Sequence, residues 1–289
     1  MGSGRTNEEI ALYNAQVLAD LEEYLHYLTI QGEPEDQRAD KISQWVESWT
    51  RYLKREKDFN PKGISAFKRG SIVYADFGFN VGREYGGHHY AIVLNKKDSR
   101  KNHLLHVLPL TSVKEDTDLG NLQYFQKYIG SEVFQLMLQK ALRVETEVEE
   151  LREQLKSRLE HLQIRLNNIK DLKIMLEDFQ NDFSINDTQQ SEQVDSVIKT
   201  TEQEISEINN EIEENDKLMN DFDTTKDYLN KLIAKINKMK QGSIVLLNQI
   251  TTVSKLRILD PREKDSVLKD IVLSSETMNE IDNLLNDFF

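Results

Sequence analysis

Two stretches with the residue pattern of β-strands lie on either side of a long helical segment in this chain. The first stretch covers residues 69–112 and the second covers residues 242–259. Short β-branched and aliphatic runs in both are separated by Gly, Asn, Asp and Pro, which is typical of short strands joined by turns. The predicted strands include Ile72–Ala75, Ala91–Leu94, Leu104–Leu110 and Ile244–Leu247. Short strands at this spacing predict one small barrel or sandwich.

The intervening segment carries apolar residues at every third or fourth position in two long runs. The turn formers of Ser184 to Ser191 separate these runs. This pattern predicts an antiparallel coiled-coil helical hairpin over residues 121–240, with residues 119–130 as a loop and one helical turn. Thr201 and Asn215 fall on the seam of the hairpin, where a polar residue costs stability.

The N-terminal residues 1–60 have the pattern of two shorter amphipathic helices. Asn7 is placed to cap the first helix, and Gly32 with Pro34 ends it. Trp45 and Trp49 lie on one apolar stripe of the second helix, so we expect this helical appendage to pack on a neighbouring part of the protein.

These patterns together predict an α+β chain in three parts. Residues 1–60 form the N-terminal helical appendage, and residues 121–240 form the hairpin insertion. Residues 61–120 and 241–289 form the strand part, which closes with a C-terminal helix beginning near Ser274 or Ser275.

The net charge of −13 belongs mainly to the helical parts. Residues 1–60 carry 7 basic and 12 acidic side chains, whereas residues 61–120 carry 9 basic and 6 acidic ones. The acidic total therefore does not exclude a polyanionic ligand at the strand part. The absence of cysteine excludes disulfides and thiolate metal sites, and no apolar run reaches the length of a membrane span. We expect a cytoplasmic protein that acts away from the membrane.

Four motifs follow one another in the strand part. They are Arg69 to Asp76 (RGSIVYAD), Val81 to Gly87 (VGREYGG), Leu108 to Ser112 (LPLTS) and Ser243 to Arg257 (SIVLLNQITTVSKLR). In this order they resemble the MazF/PemK family of toxin endoribonucleases, and the C-terminal helix fits the same pattern. The resemblance covers about 100 of the 289 residues, in two blocks.

The resemblance implies an SH3-like barrel, a homodimer and a cognate antitoxin protein as partner. It also implies metal-independent cleavage of single-stranded RNA, without a cofactor. In that reaction the ribose 2′-OH attacks the adjacent phosphorus, which leaves a 2′,3′-cyclic phosphate and a 5′-OH. The reaction needs a base, an acid and groups that stabilise the phosphorane.

The family's catalytic Thr corresponds to Thr111, and its catalytic Arg corresponds to His89. A histidine can take or give a proton near neutral pH, which an arginine hardly can. Because neighbouring strand residues point to opposite faces, we expect His89 to face the cleft and His88 to turn away from it. The remaining catalytic candidates are Arg83, Glu84 and Gln249.

A basic hairpin follows the second predicted strand and is a candidate for phosphate contacts. The RNA-binding candidates are Lys96, Lys97, Arg100, Lys101 and Ser112. The histidines lack a carboxylate cluster, so the sequence predicts no metal site. The alternative function is a non-catalytic RNA- or protein-binding module whose coiled coil mediates the interaction.

Overall fold

The computed structural model describes residues 4–181 and 188–289. Within these residues the chain forms five α-helices and seven β-strands, which confirms the predicted α+β class. The helices are α1 Asn7–Ile30, α2 Glu35–Arg55, α3 Glu132–Asn181, α4 Thr188–Ile236 and α5 Ser275–Phe288. The strands are β1 Ile72–Asp76, β2 His88–Val93, β3 Leu104–Ser112, β4 Gln126–Tyr128, β5 Ser243–Leu246, β6 Thr251–Ser254 and β7 Ile258–Asp260.

The strands form one antiparallel sheet in the order β4-β5-β3-β2-β1-β7. Strand β6 pairs with the first half of β3, while β5 pairs with its second half. The 3-10 turn Lys255–Arg257 leads directly from β6 to β7, which lies beside β1. The chain therefore runs directly from a strand beside β3 to a strand beside β1. No hydrogen-bonded strand pair closes the sheet into a barrel in the described residues.

Alternation along the strands fills a core on one face of the sheet. Val73 and Ala75 of β1 lie beside Ala91 and Val93 of β2, and all four are fully buried. Strand β4 was not predicted, because the expectation for residues 119–130 was a loop and a helical turn. Its three residues pair with β5 more than a hundred positions later, and local sequence carries no sign of that pairing.

The appendage consists of α1 and α2, which pack against each other. Helix α1 is capped by Thr6 rather than by Asn7: the Thr6 hydroxyl accepts from the Glu9 backbone N–H at 3.2 Å, and the Glu9 carboxylate accepts from the Thr6 N–H at 2.7 Å. The predicted docking holds for Trp45, which contacts the sheet part, whereas Trp49 keeps 50% of its surface exposed.

The chain divides into two compact units, one of which is the hairpin at residues 135–239. Its helices α3 and α4 pack against each other, as predicted, and bury Leu155, Ile208 and Leu232. Arg165 of α3 links the helices through ion pairs with three carboxylates of α4, at Glu204, Glu207 and Glu211. Residues 184–187 of the predicted turn lie outside the described residues, and residues 188–191 begin α4.

The seam of the hairpin contains the polar residues that the sequence indicated. Asn215 is only 9% exposed, and its Oδ1 accepts a hydrogen bond from Arg158 at 3.4 Å. Its Nδ2 has no hydrogen-bond partner in the described part of the chain. Thr201 donates its hydroxyl to the Val197 carbonyl at 2.8 Å, so its polar group is satisfied within α4.

Candidate active site

Three side chains meet where β2 begins and β3 ends. The Tyr85 hydroxyl lies 3.0 Å from His89 Nδ1, and the two rings are 4.4 Å apart between centroids. The same hydroxyl donates to the Leu110 carbonyl at 2.8 Å, and the Thr111 side chain lies near enough to lower the pKa of Tyr85. Tyr85 therefore lies between His89 and Thr111, the two residues that the resemblance predicted as the catalytic pair.

The loop that carries Tyr85 is held at several backbone atoms. The Gln249 Oε1 accepts from the Tyr85 N–H at 3.2 Å, and its Nε2 donates to the Arg83 carbonyl at 3.4 Å. The Asn80 amide donates to the Tyr85 carbonyl at 2.8 Å. Gln249, predicted as a catalytic candidate, thus braces the loop from the 3-10 turn Leu247–Gln249 that follows β5.

Burial determines the ionisation of the cluster. Burial lowers the pKa of His89 from its ordinary value of 6.5. The Gly86 backbone acts in the opposite direction and raises this pKa, whereas the neighbouring His88 lowers it further. Burial raises the pKa of Tyr85 to about 12, while the hydrogen bond with Thr111 acts in the opposite direction. At neutral pH His89 is therefore a neutral imidazole beside a protonated phenol.

A groove of about 560 Å³ borders the cluster. Gly86, Gly87 and both histidines line one side, together with the preceding loop from Gly78 to Glu84. Helix α2 provides the other wall, with a row of residues at helical spacing: Lys41, Gln44, Trp45 and Ser48. The N-terminal appendage is therefore part of the groove, which sequence reasoning did not predict.

Helix α2 lies against the loop because Gly78 has no side chain. A Cβ on Gly78, whose φ is +81°, would lie 2.7 Å from the Trp45 ring. The Arg257 guanidinium lies 5.1 Å from the centre of that ring, and its Nε donates to the Asp76 carbonyl at 2.8 Å. Arg257 thus connects α2 with the end of β1.

The two histidines lie opposite different residues of β1, Asp76 for His88 and Ala75 for His89. His88 Nε2 is 3.6 Å from Asp76 Oδ2. Both histidines nevertheless border the groove, because it extends around the first residues of β2, so the expectation that His88 turns away from the cleft is wrong. Glu84 also borders the groove, whereas Arg83 exposes its side chain in the loop.

The predicted RNA-binding residues do not lie together. Ser112 is exposed beside Thr111 at the end of β3. The exposed cations follow the opposite end of β2, which lies roughly 15 Å further along the strand; they are Lys96, Lys97, Arg100 and Lys101. Arg100 there donates to the Lys62 carbonyl at 2.8 Å.

A buried ion pair holds the basic hairpin of residues 96–101 in place. Lys255 Nζ donates to Asp98 Oδ2 at 2.7 Å and to the Ser99 carbonyl at 2.9 Å, and Lys255 is 0% exposed. The same Asp98 oxygen accepts from the Phe67 N–H at 2.9 Å. The contacts give the hairpin a structural anchor that is separate from the groove.

Sequence reasoning missed Tyr85 as a member of the cluster. The resemblance assigned no role to its position in the motif VGREYGG, so it gave no signal for Tyr85. An aromatic residue between two glycine-rich turns, four residues before His89, is the one feature that could have indicated it. Residues 4–181 and 188–289 contain no group of three or more His, Cys, Asp or Glu side chains that could hold a metal ion.

The sheet, the groove and the cluster of His89, Tyr85 and Thr111 define an antiparallel-sheet protein with a polar side-chain cluster at one end of its sheet. The family model of the PemK-like, MazF-like toxin of type II toxin-antitoxin systems matches residues 68–166. This match supports the resemblance that the sequence indicated, and it supports an enzyme of the endoribonuclease kind.

The family match begins just before β1 and ends within α3, so the strands β5 to β7 lie beyond it. A comparison with curated proteins gives no match. No helix in the described part of the chain is long and apolar enough to cross a bilayer.

Proposed function

We propose that this protein is the toxin of a type II toxin–antitoxin pair and that it cleaves single-stranded RNA at the groove beside His89. The products are a 2′,3′-cyclic phosphate and a 5′-OH, formed without a metal ion in the cytoplasm and under the control of an antitoxin protein. The observation that carries this proposal is the contact of His89 with Tyr85, next to Thr111, at the border of an open groove.

The reaction begins when the ribose 2′-OH attacks the adjacent phosphorus. His89 takes the 2′-OH proton as general base, a role for which its lowered pKa keeps it unprotonated near neutral pH. A new bond forms between phosphorus and the 2′ oxygen, and the bond to the 5′ oxygen breaks. The 5′ oxygen takes a proton from water in the open groove, and His89 returns its own proton to solvent.

Charge builds up on the non-bridging oxygens of the phosphorane during the reaction. The Thr111 hydroxyl can rotate its proton from Tyr85 towards one of these oxygens. Lys41 of α2 is the lysine that lines the groove, and it supplies a positive charge for the phosphate. These groups supply the electrostatic stabilisation that RNA cleavage requires.

The decisive experiment incubates the purified full chain with a long single-stranded RNA in excess EDTA. Cleavage should continue, and the fragments should accept label from polynucleotide kinase without phosphatase treatment, because their 5′ ends are free hydroxyls. Their 3′ ends should be 2′,3′-cyclic phosphates by mass. His103→Ala is the matched control, since His103 contacts Phe59 away from the groove. If several RNA sequences remain uncut, the chain is a binding module rather than a nuclease.

A further inference from the structure

We infer that Tyr85 is a positioning residue that fixes the tautomer of His89, placing the ring proton on Nδ1 and leaving Nε2 as the atom that exchanges protons in the groove. The use of Nε2 on RNA rests on the proposed function. The tautomer itself is argued from the contacts of the Tyr85 hydroxyl and can be measured without RNA.

The inference follows from counting the protons around the phenol oxygen. A tyrosine hydroxyl has one proton to donate and can accept hydrogen bonds through its lone pairs. The Leu110 carbonyl, 2.8 Å away, can only accept, so it takes the phenol proton. The remaining neighbour, His89 Nδ1 at 3.0 Å, then faces a lone pair and must donate. His89 therefore carries its proton on Nδ1.

The other ring nitrogen lies on the open side of the cluster. A Cβ built on Gly87 would be 3.5 Å from His89 Nε2, an ordinary contact distance, so Nε2 lies beside Gly87. Gly87 and His89 both border the groove. In the neutral ring Nε2 keeps its lone pair, and that lone pair is what a general base needs.

Tyr85 is itself rigidly placed for this role. Its backbone N–H and carbonyl are both held, by Gln249 and Asn80 respectively. Its ring packs edge-on against Phe77 at 5.8 Å, in addition to its contact with His89. Preorganised partners of this kind commonly select one histidine tautomer in catalytic sites.

The test is Tyr85→Phe, which removes the hydroxyl and keeps the ring. In protein with ¹⁵N-labelled histidine, above the pKa of His89, wild type should show a protonated Nδ1 and an unprotonated Nε2 by NMR. Tyr85→Phe should shift His89 towards the Nε2–H tautomer and lower kcat about tenfold or more with KM unchanged. Tyr74→Phe is the control, since Tyr74 contacts the ring of His88 instead, 6.1 Å away.

Several results would overturn the inference. A wild-type spectrum with the proton on Nε2 would do so even if the variant failed to fold. An unchanged His89 tautomer in folded Tyr85→Phe would also do so, as would a switched tautomer with undiminished kcat. If wild type shows the expected tautomer and never cleaves RNA, the inference about Tyr85 stands and the proposed function falls.

Discussion

The Tyr52 hydroxyl donates a hydrogen bond to Asp76 Oδ2 at 2.8 Å, which ties helix α2 to the end of strand β1. Asp76 is 2% exposed, and its other oxygen accepts from the Gly78 N–H at 2.9 Å. Burial, followed by this hydrogen bond to Asp76, raises the pKa of Tyr52 to about 12. A buried carboxylate requires such partners, so the appended helix satisfies a polar group of the sheet.

Removing the Tyr52 hydroxyl should therefore destabilise the protein. We expect Tyr52→Phe to lower the free energy of unfolding by about 1.5–3 kcal/mol, because it removes a hydrogen bond to a buried charge. The measurement is denaturant unfolding at pH 7. Tyr24→Phe on the exposed side of α1 is the control and should change little. Equal stability of both variants would mean that α2 is not held through Asp76.

The close contact between Gly78 and Trp45 gives a second prediction. Gly78→Ala should cost at least ~2 kcal/mol of stability and displace α2, because the new methyl group would lie within the Trp45 ring contact while φ stays positive. Gly82→Ala has the same kind of backbone strain, at φ +66°, but open space around it. The difference between the two variants, measured by unfolding and tryptophan fluorescence, isolates the contact with Trp45. If both variants lose the same free energy of unfolding, the new methyl group displaces α2 without a measurable energetic penalty.

Replacing His89 should remove the general base. His89→Ala should reduce RNA cleavage by about 10²–10⁴-fold. The melting temperature should hardly change, because the His89 side chain is only partly buried and borders the groove. Cleavage by wild type should rise with pH and level off once His89 is deprotonated. Since burial lowers the pKa of His89, the midpoint of this rise should lie below pH 6.5. A midpoint above pH 7 would assign the base to another group.

The charge on the α2 wall should matter for RNA binding. Lys41→Ala should weaken the binding of a single-stranded oligonucleotide and reduce the slope of log K against log salt by about 0.7, as expected for one lost phosphate contact. Lys54→Ala, on the same helix and exposed away from the groove lining, is the control. Increased cleavage by Lys41→Ala would instead indicate that α2 acts as a cap over the groove.

The hairpin should be dispensable for folding of the rest of the chain. Replacing residues 135–239 with a short Gly/Ser linker should leave a protein that unfolds cooperatively and keeps its β signal in circular dichroism. The reason is that β4 and β5, on either side of the insertion, pair directly with each other. Loss of cooperative unfolding in the shortened chain would contradict this expectation.

The sequence predicted those strands and helices whose apolar residues recur at regular spacing. The apolar alternation of β1 to β3 and the long apolar stripes of α3 and α4 are visible without any tertiary contact. The docking of Trp45 on Gly78 and the pairing of β4 with β5 join residues far apart in sequence, so no local signal encodes them. Tyr85 was missed for a related reason, because its role depends on Leu110 and Thr111, which belong to another strand.

The attachment of the hairpin through β4 and β5 has a consequence for how such chains can diverge. Both ends of the insertion are fixed by the same strand pair, with Lys127 opposite Val245. Equal numbers of residues can therefore be gained or lost in α3 and α4 without moving either anchor, provided that whole helical repeats are exchanged. We expect chains that share this insertion to differ mainly in arm length, while the strands and the groove stay in place.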